Sequence, residues 1–309
     1  MTAPLLTSDK VLVDFAAQVG DSGPITIEGR RTRWSRGGAL TEGTRMVAAP
    51  SGVVDFQPHE MIVTVRSGTL VSDLEATLAE HGQRSALPDR GGTVGGAVAV
   101  GENHVAVLGR GMLRTSLLEV RYVSAEGKLI RGGGPTVKNV TGFDIPRIMV
   151  GSLGTLGCIA EVILRTNPIP TVSQWYQADN VSPFEVRDAL LRPSAVLWNG
   201  HTTWVLLEGH AVDVADQLSA LHRLARFEEV DGSPDLPSHR WSLSPSDIHN
   251  LNRHDTGSFV ASIGVGLVFA EKPQPPREVS VAVRQVSERL KANFDPTGRL
   301  NPGRRAWEM

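Results

Sequence analysis

The stretch GGTVGGAVAVG at residues 91–101 has five glycines in eleven positions and no charged side chain. Glycine at this density gives up side-chain packing, and it permits positive φ angles or the close approach of another group to the backbone. Three interpretations are open: a flexible linker, a tight structural turn, or a cradle for a phosphate-bearing cofactor. The stretch lacks the polar residues of flexible linkers, which argues against the first interpretation.

The composition of the whole chain is that of an ordinary globular protein. Of its 309 residues, 40% are apolar and 21% are charged, and this length suits about two domains. The chain carries 31 Lys and Arg residues against 33 Asp and Glu residues, for a formal net charge of -2, and like charges do not cluster in runs. The electrostatic footprint of a nucleic-acid-binding or anionic-membrane-binding protein is therefore missing.

The single cysteine and the N-terminal segment both bear on the cellular compartment. Cys158 alone can form neither an intrachain disulfide nor an iron–sulfur cluster site, so any cluster must lie in another chain, and its simplest role is a small core residue. The N-terminus has no basic region followed by a long apolar stretch, and no run of about eighteen apolar residues occurs. We expect a cytoplasmic protein without membrane spans.

Hydrophobic periodicity predicts a mixed α and β structure in the first 170 residues. A helix is predicted near the N-terminus, with Ser8 or Asp9 as its cap, and a strand at Ile25 and Ile27 precedes a turn rich in glycine and arginine. The other predicted elements are a strand at 61–68, a helix opened by a capping box of Ser72 and Glu75 and ended at Gly82, a β-hairpin at 116–130 and a strand at 158–166.

The sequence changes character at Pro168 and Pro170, where we predict a domain boundary. Glycine-rich segments become fewer beyond this point, and the tryptophans at positions 175, 198, 204 and 241 follow it. The second part is predicted to form a sheet backed by helices, with strands at 204–209 and 258–270 and helices at 212–225 and 276–294.

Several common functional motifs are absent from the sequence. The nearest candidate for a dinucleotide-binding G-x-G-x-x-G turn, at 109–114, has Arg114 in place of the third glycine. There is no P-loop lysine motif, no H-E-x-x-H zinc motif and no G-x-S-x-G nucleophile elbow. His249 and His254 are five positions apart, a spacing that does not place two side chains on the same face of a helix. No metal site is predicted.

Three separated glycine segments remain as candidate binding elements. They are Gly29 with its neighbours Arg30, Arg31 and Arg33, the stretch at 91–101, and GSLGTLG at 151–157. Exposed backbone N–H groups in such turns bind anions, and neighbouring arginines add charge and forked hydrogen bonds. Converging segments of this kind would hold a pyrophosphate, whereas tight turns of a β-rich domain would account for each segment separately.

Four stretches, at 49–83, 87–101, 117–168 and 294–304, follow one another in a specific order. They include LPDRGGTVGGAVAVG, KNVTGFD at 138–144, GSLGTLG and FDPTGRLNPGR. In this order they resemble the FAD-linked oxidases with a p-cresol methylhydroxylase (PCMH)-type FAD-binding domain, and most closely the glycolate oxidase FAD-binding subunits.

The resemblance implies an α+β fold class with a defined domain order. Residues 1–170 would form the PCMH-type FAD-binding domain, with two α+β subdomains at about 1–55 and 56–170 and FAD between them. A smaller α+β cap or substrate domain would occupy residues 171–285. The C-terminal segment, residues 286–309, would return to the FAD-binding domain.

The resemblance also implies which residues contact FAD. The first pyrophosphate loop corresponds to Gly29, Arg30, Arg31, Thr32 and Arg33, and the second FAD loop to Pro88, Thr93, Val94, Gly95, Gly96 and Gly101. The segment along the flavin corresponds to Gly151, Ser152, Gly154, Thr155 and Ile159, and Asn301 would lie near the ring.

The chain departs from this family in the first loop, where relatives read close to GGGT. Arg30 and Arg31 would either pair directly with phosphate or signal weak FAD binding. The histidine with which some relatives tether FAD covalently is absent from the loop, so noncovalent FAD is expected. The histidine cluster of the family's 2-hydroxy-acid dehydrogenases is absent as well.

The catalytic residues are unknown from sequence, and three candidates stand out. His104 follows the glycine stretch and is a candidate base, although a structural loop histidine is the simpler interpretation. Arg110 and Arg114 are candidates for binding a substrate carboxylate or for structural pairing. Lys138 and Asn139 either hydrogen-bond near the flavin or end a turn.

The resemblance implies an FAD-dependent oxidoreductase that oxidises a small 2-hydroxy acid by hydride transfer to FAD. Electrons would leave through partner chains, among them a catalytic flavoprotein and an iron–sulfur subunit, because this chain cannot hold a cluster. The alternative is a flavin-binding accessory subunit without substrate chemistry. A third hypothesis is a scaffold that has lost FAD.

Overall fold

The computed structural model describes residues 8–88, 90–134, 144–276 and 278–306. The α-helices are α1 (Lys10–Val19), α2 (Val71–Ala79), α3 (Val94–Val100), α4 (Val107–Arg110), α5 (Leu113–Ser116), α6 (Ile145–Met149), α7 (Pro183–Ala189), α8 (Ala211–His222), α9 (Arg253–Thr256) and α10 (Val281–Phe294). The first nine strands are β1 (Ile25–Glu28), β2 (Arg45–Ala48), β3 (Val53–Gln57), β4 (Ile62–Arg66), β5 (Gln83–Arg84), β6 (Leu117–Val123), β7 (Leu129–Gly133), β8 (Cys158–Arg165) and β9 (Asn167–Pro168). The remaining strands are β10 (Val172–Asp179), β11 (Ala195–Trp198), β12 (Thr202–Gly209), β13 (Glu228–Val230), β14 (His239–Ser242), β15 (Phe259–Ser262) and β16 (Leu267–Ala270).

The chain divides into two compact units. The first comprises Met1–His104, Met112–Pro168 and Arg277–Met309, and the second comprises Val105–Gly111 and Ile169–Pro276. Each unit combines helices with a β-sheet, as the α+β fold class requires.

The first unit is built on a five-stranded sheet in the order β3-β4-β8-β6-β7, with antiparallel neighbours throughout. The central strand β8 is buried from Cys158 to Leu164, which is expected for a strand covered on both faces. One face carries the core that includes residues of α2, α3 and α6, and the other carries a core that includes residues of α1. A separate pair of parallel strands, β1 and β2, belongs to the same unit.

Helix α1 shows how the sequence fixes the second of these cores. The Asp9 side chain caps it by accepting hydrogen bonds from the Val11 and Leu12 N–H groups, as predicted. Its buried face consists of Leu12, Phe15 and Val19. At its C-terminal end, the buried Arg299 guanidinium donates to the Val19 carbonyl at 2.8 Å and to the Gly20 carbonyl at 3.2 Å. The C-terminal segment thereby satisfies carbonyls that the helix leaves unpaired.

The second unit contains a seven-stranded antiparallel sheet in the order β13-β10-β12-β11-β15-β16-β14. Helices α7 and α8 contribute to its main core through Val186, Val214 and Leu221. The predicted strands at 204–209 and 258–270 and the predicted helix at 212–225 are confirmed, the longer strand segment being β15 and β16 joined by a turn. The predicted helix at 276–294 is present as α10, which is part of the first unit.

Two local predictions in the first unit are wrong. The capping box of Ser72 and Glu75 does not form, because the N-cap residue is Leu70 and the Glu75 carboxylate instead accepts a hydrogen bond from the Ser85 N–H at 3.1 Å. The glycine stretch at 91–101 is for the most part not a loop, because its residues from Val94 to Val100 form α3. Thr93 caps this helix through its side chain, and Gly101 ends it in a left-handed conformation.

Candidate functional site

The three predicted glycine segments meet around two adjoining pockets of the first unit. Each pocket encloses about 550 Å³, part of it open to solvent, and both are lined by Gly29, Thr93, Gly96 and Asn301. The first pocket extends toward β8, and the second extends toward the arginine-rich turn after β1.

The structure brings most of the predicted FAD-contacting residues to these pockets. The predicted residues that line one or both are Gly29, Arg30, Arg31, Thr32, Arg33, Thr93, Gly95, Gly96, Gly154, Ile159 and Asn301. The predicted residues outside the lining are Pro88, Val94, Gly101, Gly151, Ser152 and Thr155.

The residues outside the lining shape the segments that line it. Val94 is fully buried in the main core of the unit. A Cβ atom at Gly101 would meet the backbone of Gly151 at 3.0 Å, so the end of α3 and the GSLGTLG segment approach each other closely. The Thr155 hydroxyl donates to the Ser152 carbonyl at 2.7 Å, which fixes the turn that presents Gly154.

Backbone strain concentrates at the pockets. Five non-glycine residues of the described chain have a positive φ, and Arg31, Leu153 and Asn301 among them line a pocket. Such conformations are costly for residues with a Cβ atom, and they persist only where the surroundings enforce them. Three strained residues at one site are typical of a preformed binding site.

Asn301 joins three of the segments around the pockets. Its N–H donates to the Ile25 carbonyl at 2.7 Å, and its amide oxygen accepts a hydrogen bond from the Thr26 hydroxyl at 2.7 Å. Its amide nitrogen donates to the Leu153 carbonyl. One residue, whose backbone has the strained left-handed conformation, thus holds together the C-terminal segment, β1 and the GSLGTLG segment.

Arg33 is held by two of its three guanidinium nitrogens, and the third has no hydrogen-bond partner. Its Nε donates to the Glu102 carboxylate, and its Nη1 donates to the Gly91 carbonyl at 2.8 Å. The side chain is only 9% exposed, and its Nη2 has no hydrogen-bond partner. A Cβ atom at Gly92 would lie 2.7 Å from Nη1, so glycine at this position leaves the space through which Arg33 passes.

Arg304, from the C-terminal segment, is likewise held by part of its guanidinium group and keeps one nitrogen without a hydrogen-bond partner. Its Nη1 donates to the Arg36 carbonyl, and its guanidinium lies 4.9 Å from the centroid of the Trp34 ring. The residue is 9% exposed, its Nε has no hydrogen-bond partner, and burial lowers the pKa of its guanidinium. Arg31 lies 5.0 Å from the centroid of the same Trp34 ring.

Positive charge exceeds negative charge around this part of the site. Arg33, Arg36 and Arg90 surround the buried carboxylate of Glu102, with Arg90 3.6 Å away. The pKa of Arg36 is lowered first by burial and further by its two arginine neighbours, against the opposite effect of Glu102. We name Arg33, Arg36, Arg90 and Arg304 the pocket arginines. The first three lie around the Glu102 carboxylate, and Arg304 lines the same pocket as Arg33.

Cys158 lines the first pocket, and burial raises the pKa of its thiol to about 12. Because the thiolate is the reactive form of cysteine, the thiol is inert near neutral pH. The prediction that it is a small core residue is confirmed by its position in the core that contains α1 residues.

The catalytic candidates are dispersed. His104 is 4% exposed and Arg114 is exposed, and neither lines the two pockets. Arg110 is part of the second unit. Lys138 and Asn139 lie outside the described residues. The candidate base and carboxylate-binding residues therefore stay predictions.

The described residues contain neither a cluster of metal ligands nor a membrane-spanning helix. No group of three or more His, Cys, Asp and Glu side chains is arranged to hold a metal ion. No helix in the described part of the chain has the length and apolar character to cross a membrane.

The donor set at the pockets fits a diphosphate-bearing cofactor. Buried, unpartnered guanidinium atoms at a pocket are suited to phosphate oxygens, and glycines beside them leave room for a close approach. Residues 10–133 match the family model described as an FAD binding domain. The chain is also 27% identical to glycolate oxidase subunit GlcE of Escherichia coli over 98% of each protein. The chain thus resembles FAD-linked oxidoreductases and carries an FAD-binding domain. The resemblance found in the sequence, and with it FAD as the cofactor, is confirmed.

Other matches of the chain are partial or distant. It is 26% identical to glycolate oxidase subunit GlcD of Bacillus subtilis over 61% of its own length and 43% of that protein. A solved structure of alkyldihydroxyacetonephosphate synthase superimposes with a TM-score of 0.67 at 14% identity, covering 96% of this chain and 74% of that one. The likeness to that structure concerns the fold alone, and the expected PCMH-type fold is confirmed.

The sequence analysis missed several residues at the two pockets, above all Trp34 and Arg304. A signal existed for both: Trp34 directly follows the arginine-rich turn, and Arg304 directly follows the NPG element of Asn301. Leu153 and Ala99 had no such signal, because their place at a pocket follows from the packing of α3 against the GSLGTLG segment.

Proposed function

We propose that the chain is the FAD-binding subunit of an enzyme of the glycolate oxidase type that oxidises a small 2-hydroxy acid. The similarity to glycolate oxidase subunit GlcE over nearly the whole of both chains is the observation that carries this proposal. FAD, when bound, would supply the two-electron acceptor for the hydride that leaves the hydroxyl-bearing carbon, while the hydroxyl proton is released separately. The FAD-contacting residues are those inferred from sequence, with the pocket-lining subset as the direct contacts.

In this proposal FAD is bound noncovalently between the two halves of residues 1–170. Residues 171–285 serve as the substrate or cap domain, and residues 286–309 complete the FAD-binding domain. The hydrogen bonds of Asn301 to Ile25 and Thr26 support the last assignment.

The proposed partners are a second, catalytic flavoprotein subunit and an iron–sulfur subunit, in the cytoplasm. Similarity to two differently named glycolate oxidase subunits supports a multi-subunit assembly. An electron carrier outside this chain is needed, because the sequence contains one cysteine and that residue is buried.

Anaerobic addition of glycolate or D-lactate to the purified, flavin-loaded chain tests the proposal. We expect bleaching of the flavin absorbance, as electrons enter FAD. Absence of bound flavin after purification with added FAD would contradict the proposal and favour the scaffold hypothesis. Release of the flavin by acid precipitation checks the noncovalent attachment.

A second candidate function is a flavin-binding accessory subunit without substrate chemistry. It is favoured by the partial match to glycolate oxidase subunit GlcD and by the absence of His104 and Arg114 from the lining of the pockets. This candidate predicts no bleaching by the isolated chain and bleaching in a copurified complex.

A further inference from the structure

We propose that Arg33 and Arg304 bind the diphosphate of FAD with their side chains, in the place where relatives use the backbone of a GGGT loop. The proposal rests on FAD binding by this chain and goes further, because it assigns the contact to two side chains, one of them in the C-terminal segment. The sequence placed Arg33 in the first pyrophosphate loop together with Arg30 and Arg31, but it did not indicate Arg304.

The first step is the state of the two guanidinium groups. Arg33 Nη2 and Arg304 Nε are buried, have no hydrogen-bond partner, and belong to side chains that line the same pocket. A buried N–H donor without a partner costs free energy, and more so when the group is charged. A ligand with acceptor oxygens in that pocket removes the cost at both positions.

The second step is the fixed orientation of the two groups. Glu102 and the Gly91 carbonyl hold Arg33 by its Nε and Nη1, so that Nη2 is left over for a ligand. The Arg36 carbonyl and the Trp34 ring hold Arg304, so that Nε is left over. Side chains that are already oriented lose little conformational entropy when a ligand binds.

The third step is charge. Arg33, Arg36 and Arg90 lie around the Glu102 carboxylate, and Arg304 adds a further positive charge at the pocket that Arg33 lines. The diphosphate of FAD carries two negative charges and presents several acceptor oxygens to forked donors. A single carboxylate, such as that of a 2-hydroxy acid, would compensate less of the excess.

The arginines that the sequence favoured are less suited to this role. Arg31 is paired with the Glu28 carboxylate and its side chain is 51% exposed. Arg30 is exposed. Charges in these positions are screened by solvent, and an exposed ion pair contributes little free energy. They would attract the cofactor without fixing it.

The test uses the full chain freed of flavin, with Arg33→Gln and Arg304→Gln variants and Arg165→Gln as a matched control at an exposed position of β8. We expect FAD to bind each pocket variant at least about tenfold more weakly than the wild type, since each loses a charged hydrogen bond. Riboflavin, which lacks the diphosphate, should bind all four proteins equally. Fluorescence titration measures both affinities.

A second readout needs no flavin. Inorganic pyrophosphate at millimolar concentration should raise the thermal unfolding midpoint of the wild type and the control, and of neither pocket variant. Arg33→Lys and Arg304→Lys keep the positive charge but lose the forked donors of the guanidinium group, so they replace a glutamine variant that fails to fold. In these lysine variants pyrophosphate should raise the thermal unfolding midpoint much less than in the wild type.

The outcomes separate this inference from the proposed function. If the wild type binds FAD and the pocket variants bind it within twofold of the wild-type affinity, the inference is wrong and the proposed function stands. If glycolate rather than pyrophosphate stabilises the wild type in a manner that depends on Arg304, the pocket takes a carboxylate and the inference is again wrong. Failure of the wild type to bind FAD would overturn both.

Discussion

Two arginine clusters of the first unit differ in how their charges are balanced. In the sheet network, which we define as Asp9, Arg66, Glu119, Arg121, Arg131 and Glu161, three cations meet three carboxylates. Arg66 contacts Asp9 at 2.5 Å and Glu161 at 2.6 Å, and Glu119 receives two arginines at 2.9 and 2.8 Å. Of the pocket arginines, by contrast, Arg33 and Arg90 pair with Glu102, and Arg33 and Arg304 each keep one buried guanidinium nitrogen without a hydrogen-bond partner.

The difference separates a structural role from a functional one. Glu119 and Glu161 are fully buried, and the network around them is closed within the chain, joining α1 to strands β4, β8, β6 and β7. Such a closed network contributes to the architecture and requires no ligand. An open cluster at a pocket is incomplete until an anion enters it.

The largest effect is expected from opening the closed network with Glu161→Gln. This change leaves Arg66 and Arg121 without one of their carboxylates in a buried setting, and removal of one partner of a buried ion pair costs about 3 kcal/mol or more. Chemical denaturation should show the corresponding loss in the free energy of unfolding. Glu126→Gln, in the exposed pair with Lys128, is the control and should leave the unfolding free energy unchanged.

A smaller effect is expected from displacing Arg33 by Gly92→Ala. The added Cβ would lie 2.6 Å from Thr32 Oγ1 and 2.7 Å from Arg33 Nη1, so FAD affinity should fall about tenfold, as for loss of one charged hydrogen bond. Gly82→Ala is the matched control, because Gly82 also has a positive φ but faces open space. Both variants should lose stability from backbone strain, and an equal FAD affinity in the two would show that Arg33 is not a ligand.

Salt should weaken anion binding at the pocket arginines and leave the stability of the sheet network almost unchanged, an effect smaller than those of the two substitutions above. Raising NaCl from about 0.05 M to about 0.5 M shortens the Debye length from about 14 Å to about 4 Å, so the affinity of the flavin-free chain for inorganic pyrophosphate should fall several-fold. The effect of Glu161→Gln on the unfolding free energy should change little, because buried pairs are screened less. A pyrophosphate affinity that does not vary with salt would contradict an open, charge-driven site.

The smallest effect concerns pH and Asp9. Its hydrogen bond with the Arg66 side chain is the main cause that holds the pKa of its carboxyl below the ordinary value, so the folded state is favoured while the carboxylate is ionised. This contribution is fully present above the pKa of unfolded Asp, about 4, and is lost as the pH falls from there through the lower folded-state pKa.

Asp9→Asn keeps the helix cap and removes the charge. Thermal unfolding between pH 3 and pH 6 should therefore show a shallower loss of stability toward acid pH in this variant than in the wild type. Asp14→Asn, on the exposed face of the same helix, provides the control and should follow the wild-type profile. The neighbouring Glu161 carboxyl has its pKa raised by burial, so its titration opposes that of Asp9 and would not account for the difference.

The sequence predicted most of the fold because its elements have strong local signals. The buried face of α1, the hairpin of β6 and β7 and the strand β8 follow from periodicity. The sequence left open whether the glycine segments converge, and in the structure they meet at the pockets. The helix α3 was not predicted, since glycine and valine are weak helix formers and its stability comes from packing of Val94, Ala97 and Val98 in the core.

The balance of charge could not be predicted from sequence. Arg33 and Arg31 stand two positions apart in the same turn, yet one is buried beside Glu102 and the other is exposed beside Glu28. Arg33 and Glu102, like Trp34 and Arg304, are far apart in the sequence. Their contacts depend on how distant segments fold together, which a local pattern does not record.

A crystal structure of the chain with bound FAD tests the central claim most directly. We predict the diphosphate within hydrogen-bond distance of Arg33 Nη2 and Arg304 Nε, with the flavin extending along the pocket lined by Gly96, Gly154 and Ile159. A diphosphate placed away from both guanidinium groups, with those atoms still unpartnered, would contradict the account.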